Sequence, residues 1–476
     1  MCEPLYSRQL MANRFPLSAL LVFLCLAIPV SAQDEDQLPN FTGYVTSIHS
    51  AEEIEVNLHP VRLTEATAYS LPDNGEGAQG ARIEQGKSGP SFLRRGTEIT
   101  VYGRVDKKSH EFRASKVEIH ATAPRHINGA AIEDRAPQLV VQNGHLSGTI
   151  YADGNAIRVT PATVLNLLPT GEELTTLDPH VQIRYTAEFH ANGQVIATKV
   201  NFMRLDLGEK EHHFQQSSDF HIQDPDYDHR QYGRVKFLLH SIRILPDLAL
   251  QKRVAAVGNK LIPEWQKNLP DNDPAKISFH FIVLEANKTF PVTTLDQAGT
   301  ILIPANVLAR LNNEAQLACL LSADIAVVLE RYIDSNLSTA RSQEAINVAM
   351  MPFMLEGSAL AMVATNGLYQ HNYWVPLTES AYRVGLHYVI DAGYDPREAP
   401  VAMLRLSAKH PEKFQSDPLK QFPLLPNYLE GVLSRNYDAA DFAGLKTGEA
   451  EYQEVLAMLR TADSKAAKII HQESGN

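Results

Sequence analysis

At 476 residues the chain is longer than a single ordinary hydrophobic core sustains, and 44% hydrophobic against 21% charged residues excludes a disordered or fibrous protein. Its 43 basic and 55 acidic residues give a formal charge of -12, which argues against a nucleic-acid partner, because phosphate backbones select an excess of Lys and Arg.

In chain order, Arg14 precedes an apolar run over residues 17–28, and Val30-Ser31-Ala32 then gives way to Gln33-Asp34-Glu35. A basic residue, a short apolar stretch and a small-residue ending are the layout of a cleaved signal peptide, here residues 1–32. The expectation is an exported chain, periplasmic or secreted, cut near Ala32. Cys2 and Cys25 leave with that segment, so Cys319 is single and no intramolecular disulfide is expected in the mature chain. The nearest later apolar run, residues 317–329, holds Asp324, and no transmembrane segment is expected after the signal.

Short alternating strands with turn residues follow, and the pattern occurs twice, over residues 41–120 and 144–203. Thr42-Gly43-Tyr44-Val45 is matched to Ser147-Gly148-Thr149-Ile150, and Arg62-Leu63-Thr64-Glu65-Ala66-Thr67 to Arg158-Val159-Thr160-Pro161-Ala162-Thr163. Both copies close on Ala-Ser/Thr-Lys-Val, at Ala114 and at Ala197. Residues 73–90 of the first copy, rich in Gly and polar side chains, read as a surface loop. The two units resemble the OB-like β-domains of exported bacterial proteins, which implies two small barrels. Their role is read as packing or spacing modules; carbohydrate or cell-wall binding is the alternative.

Residues 204–232 read as a polar linker. His212, His213, His221 and His229 lie there among aspartates, a chemistry that suits a metal, but their spacing matches no structured site and a solvated tether is expected.

Beyond it, residues 233–445 change to a helical period. A helix is expected over 246–265, strands over 277–284 and 299–304, and another helix over 312–328; residues 446–476 form a C-terminal helix and tail. The segment Asn312-Asn313-Glu314-Ala315-Gln316-Leu317-Ala318-Cys319-Leu320-Leu321-Ser322-Ala323-Asp324-Ile325-Ala326-Val327-Val328 resembles the active-site helix of the HtpX-like and BepA-like zinc metallopeptidases, N-E-x-E-L-A-x-V-L-A-H-E-I-A-H-V. Ala381-Tyr382-Arg383-Val384-Gly385-Leu386 and Ala392-Gly393-Tyr394-Asp395-Pro396 are similar to that family's E-x-x-A-D-R-x-G-L and A-G-Y-D-P. The resemblance implies a gluzincin fold, and with the upstream units an α+β multidomain chain.

In that family two histidines four apart hold zinc, the glutamate between them activates water, and a downstream glutamate completes the site. Here the corresponding positions are Ala323, Asp324, Val327 and Thr378, and the aspartate of the downstream motif is Tyr382. Ala and Val carry no lone pair, so no zinc and no cofactor is expected, and the chain reads as a pseudopeptidase that binds polypeptide or an envelope protein. The alternative is an active metallo-endopeptidase whose zinc is held by non-standard ligands, the linker histidines among them. His240, His280, His371, His387 and His410 lack the four-residue spacing of a helical metal pair, and Cys319 reads as buried filler. Asp324 shares a helix face with leucines and is expected to pair with Arg383 or to accept from Tyr382, or else to reach solvent in a cleft. Partner identity and oligomeric state are not set by the sequence.

Overall fold

The computed structural model describes residues 40–56, 59–70, 93, 97–106, 112–119, 125–142, 144–166, 178, 180–190, 194–204, 218, 220–229, 231–237, 240–287, 293–330, 375–407, 424–437 and 439–474. The expected signal peptide and the loop at 73–90 lie outside them. Residues Asn40–Asn476 form one compact unit of mixed α+β structure.

The first sheet contains β1 (Asn40–Ile48), β2 (Glu53–Val56), β3 (His59–Arg62), β4 (Ala68–Ser70), β5 (Glu98–Val105) and β6 (Phe112–Ile119), in the order β3-β2-β1-β5-β6-β4. The second contains β7 (Arg125–Gln142), β8 (His145–Ala152), β9 (Asn155–Val159), β10 (Val164–Asn166), β11 (Val181–Phe189) and β12 (Val195–Arg204), in the order β10-β12-β11-β7-β8-β9. Read from the other end, the second order is the first with each strand replaced by its counterpart six places on. In both, the third strand also meets the last long strand in parallel, Val61 beside Phe112 and Ile157 beside Val195. Each of these return pairings spans two residue pairs, so the sheets curl back on themselves without the fully closed barrel that was expected.

The repeated residues make repeated bonds. Thr67 Oγ1 accepts from Thr64 N–H at 2.8 Å and donates to the Ala114 carbonyl at 2.9 Å; Thr163 Oγ1 accepts from Thr160 N–H at 2.9 Å and donates to the Ala197 carbonyl at 2.8 Å. This hydroxyl-closed turn ties the exit of the third strand to the Ala that opens the Ala-Ser/Thr-Lys-Val run.

One part of the sequence alignment is corrected. Thr42 to Val45 lie in β1, whose counterpart is β7, whereas Ser147 to Ile150 lie in β8, the counterpart of β2. Alternation with a period of two fits any strand of a curled sheet and cannot by itself choose between neighbours. The second sheet therefore starts at Arg125, ahead of the expected boundary at 144. Its long β7 pairs with β11 over its first half and with β8 over its second, and it changes partner across bulges that hold Pro137, where the missing N–H costs no ladder bond.

The linker also departs from expectation. Within 204–232, β13 (His221–Gln223) pairs with β14 (Arg234–Phe237), which pairs with β15 (His240–Arg243), and Phe220 is buried beside Val235. An alternating apolar pair, Phe220 and Ile222, is too little periodicity to mark a strand in a polar context, which is why it read as a tether.

The largest core lies in the C-terminal part. Helix α1 (Leu248–Leu261) is capped by Asp247, which accepts from Leu250 N–H at 3.0 Å, and buries Leu250, Val254, Val257 and Leu261. It covers a sheet of β16 (His280–Leu284), β17 (Thr294–Leu295) and β18 (Thr300–Pro304), in the order β16-β18-β17. After the short helices α2 (Glu264–Lys267) and α3 (Ala305–Leu308) comes α4 (Glu314–Leu329), apolar on nearly every side and correspondingly buried on nearly every side. Against it pack α5 (Val375–Asp391), α6 (Glu398–Ser407) and α8 (Glu449–Ala462), while α7 (Leu424–Asn436) lies on α5 and α6, and α9 (Ser464–Ser474) on α8 and α3. No helix among the described residues is long and apolar enough to cross a membrane.

Candidate functional site

Helix α4 is the helix that the peptidase resemblance singles out. Asn313 caps it by accepting from Gln316 N–H at 2.8 Å, and Glu330 closes it with an N–H donated to the Ala326 carbonyl at 2.9 Å. Ala323 is buried on it and Val327 half-buried. Helix α5 runs against α4 so closely that a Cβ on Gly385 would stand 2.8 Å from Ser322 Oγ and 3.0 Å from Ala323 N. The two helices meet backbone to backbone where the resemblance puts the first histidine, and Gly385 is the residue that permits it. Thr378 lies in the first turn of α5; its side chain is outside the described residues.

These positions do not fit a zinc site. Ala323 and Val327 offer no donor atom, Tyr382 spends its hydroxyl on Met403 Sδ at 3.4 Å, and Asp324 is a single carboxylate. Among the described residues no group of three or more His, Cys, Asp and Glu could hold a metal.

Asp324 makes neither expected contact. It accepts a hydrogen bond from Thr293, and its buried Oδ2 has no partner among the described residues. Burial pushes its carboxyl up to about 7, and its charge raises the phenol of nearby Tyr382, itself displaced upward chiefly by burial. Arg383 points the other way. Gly385 faces α4, and a residue two places away on a helix with 3.6 residues per turn is rotated by ~200°, onto the opposite side.

On that opposite side Arg383 organises a second site. Its Nε donates to the Asp153 carbonyl at 2.9 Å, one terminal nitrogen to Ser380 Oγ at 2.9 Å and the other to the Tyr428 hydroxyl. Asp153 and Gly154 are the two-residue turn of the β8–β9 hairpin, both at positive φ (56° and 67°), as such a turn requires. A Cβ on Gly154 would lie 2.5 Å from the Arg383 carbonyl carbon, so the hairpin tip rests directly on the backbone of α5. The Asp153 carboxylate accepts from the buried Tyr185 hydroxyl at 2.9 Å. Tyr185 crosses to Gly129 on β7, where a Cβ would fall 2.3 Å from its ring, so the absent side chain makes room for the phenol.

Beside this hub is a cavity of about 550 Å³. Repeat one contributes Glu98; the second sheet contributes His126, Ile127 and Asn128 from β7, Asp153 and Asn155 from the hairpin, and Tyr185 and Phe189 from β11. Helix α5 adds Glu379, Ser380 and Arg383, and α7 adds Tyr428, Val432, Arg435 and Asn436. The Arg435 guanidinium lies over the Phe189 ring at 5.2 Å, a cation–π contact between helix and sheet.

No protein-family model and no curated protein matches the chain.

The remaining sequence candidates are dispersed. His387 is buried beside Tyr437, where burial and the charges of Arg135 and Arg383 hold its imidazole down at about 3. Cys319 is buried and its thiol is raised well above the ordinary value by burial, which makes it a poor nucleophile. His229 binds Asp226 Oδ2 at 2.6 Å on the surface, and His221 lies in β13; His212, His213, His371 and His410 are outside the described residues. The cavity residues were missed by the sequence reading. Asp153-Gly154 between alternating strands was a legible hairpin signal, but its docking on a helix 230 positions later was not.

Proposed function

We propose that the chain is an exported, non-catalytic relative of the zinc metallopeptidases, which binds polypeptide or an envelope protein as a scaffold or chaperone-like partner. The observation that carries the proposal is the donor set at the positions the resemblance assigns to the metal: Ala323 and Val327 carry no donor atom, and Tyr382 spends its hydroxyl on Met403 Sδ. The shared strand order with its parallel return supports reading the two sheets as OB-like, and the buried α4, packed on the α1 that covers β16, supports a gluzincin-like C-terminal part.

Two measurements test this reading. Metal analysis of the purified chain after dialysis against trace zinc is expected to find none bound; about one zinc per chain would establish a site with non-standard ligands and overturn the proposal. Titration with reduced, carboxymethylated lactalbumin, a permanently unfolded chain, is expected to give saturable binding. Its absence would remove the polypeptide partner.

A further inference from the structure

The second repeat outgrows the first at the β7–β8 hairpin: β8 has 8 residues where its counterpart β2 has 4. Folding the repeat does not require the added length, since the first copy builds the same strand order without it. The far end of the hairpin is apolar on both faces. Val140 and Val141 are neighbours on β7, so their side chains point to opposite faces, and both are exposed, at 53% and 72%. No charged residue stands between Arg135 and Asp153, in a chain that is 21% charged.

The edge beside them is bare as well. Strand β11 pairs with β7 only as far as Ile132, and among the described residues no strand pairs with the outer side of Gln138 to Gln142. Which backbone groups face that side follows from the turn. Gln142 and His145 pair across two intervening residues, and residues that close such a turn bond to each other. By alternation Gln142, Val140 and Gln138 direct their N–H and C=O groups to β8, whereas Leu139 and Val141 turn theirs outward. Proteins ordinarily guard such an edge with charged side chains or Pro, and residues 138–142 contain neither.

A second copy of the same strand fits this edge. Gln138-Leu139-Val140-Val141-Gln142 reads alike in both directions, with an amide residue at each end and apolar residues between. Antiparallel pairing about a two-fold axis through Val140 sets Gln138 against Gln142, Leu139 against Val141, and Val140 against its own copy. Leu139 and Val141 are the residues whose backbone groups point outward, so in this register each such pair exchanges hydrogen bonds, and Val140 forms the close, non-bonded pair on the axis. Over most of their surface two copies repel, because each carries a formal charge of -12; along this edge they meet without charge.

We propose that the chain self-associates as a two-fold dimer through the β7 edge at Gln138 to Gln142. The contact goes beyond the polypeptide reading and does not depend on it. It is smaller than the usual ~800 Å² per partner, so the dimer is weak, with an expected Kd of about 10–100 µM.

The experiment is sedimentation velocity of the purified chain from about 1 µM to about 300 µM, spanning that Kd. A reversible monomer–dimer equilibrium is expected. Val140→Lys, which sets two like charges against each other on the axis, is expected to weaken it at least tenfold without changing thermal unfolding. The register is read separately by Val140→Cys and Val141→Cys under mild oxidation, with the unaltered chain, whose Cys319 is buried, as control. A non-bonded antiparallel pair lies within disulfide reach, so Val140→Cys is expected to cross-link two copies, and Val141→Cys, which faces Leu139 of the other copy, no more than the control does. A monomer at every concentration overturns the proposal. So does a dimer that Val140→Lys retains, or equal cross-linking by the two cysteine variants.

Discussion

Asp324 sets its own pH dependence. Burial raises its carboxyl from the usual 3.8 to about 7 in the folded chain, and the cause is local: among the described residues Oδ2 has no partner and Thr293 alone donates to the group. Between those two values the folded state holds a proton that the unfolded state has released, so stability falls as pH rises from about 4 to about 7 and is level above. Asp324→Asn keeps the shape and the bond from Thr293 but cannot ionise. It is expected to flatten that slope and, at pH 8, to stabilise the fold by about 1–3 kcal/mol, the scale of one buried unsatisfied group. Urea unfolding of both proteins at pH 4.5 and pH 8 measures it; parallel slopes would show that the carboxyl is ionised without cost. The sequence had marked this aspartate as needing a partner because it stands among leucines. Of the partners it offers beside solvent, Arg383 is ruled out because it lies on the face of α5 opposite Gly385, and Tyr382 because its hydroxyl goes to Met403.

The duplicated threonine turn is a matched pair. Thr67 and Thr163 each accept one backbone N–H and donate to one carbonyl, with distances that agree within 0.1 Å between copies. Thr67→Val and Thr163→Val preserve the volume and leave two backbone groups without that partner. Each is expected to cost about 1–2 kcal/mol, with the two values close to one another, in chemical denaturation. Strongly unequal costs would mean that the copies no longer use the turn alike. This repeat was legible because it rests on residue types with a local job: a threonine three places after a threonine, just beyond a strand end, offers its hydroxyl to close the turn. The α4 helix and the strands β16 and β18 were legible for a similar reason, since apolar spacing reports them directly. The start of the second sheet was not, because β7 pairs with strands on either side of it and only those pairings say to which copy it belongs. The cavity was not legible for a further reason. Its walls come from two sheets and two helices, and no short stretch of sequence contains more than a few of its residues.

The second sheet is fastened to the helices at several well-separated points. Ile132 N–H donates to the buried Glu330 carboxylate at 3.0 Å, Arg135 pairs with Asp391 at 3.0 Å, and the Asp153-Gly154 tip sits on α5 under Arg383. Modules of this kind are expected to pack against or to space another part of the chain, and these bonds make the sheet part of the body that it packs against. Calorimetry of the intact chain is therefore expected to show the second sheet and the helices unfolding in one transition. Gly154→Ala forces a side chain at positive φ into the helix backbone and is expected to cost about 2–4 kcal/mol, with a separate low-temperature transition for the sheet. Two transitions already present in the unaltered chain would show that the fastening carries little. The same contact also bears on descent. A glycine that touches a helix, and an arginine that holds the turn beside it, cannot drift one at a time: a lineage that lost Gly154 would have to move α5 in the same step. The hairpin and the helix are then inherited as one character, free to vary everywhere except where they touch.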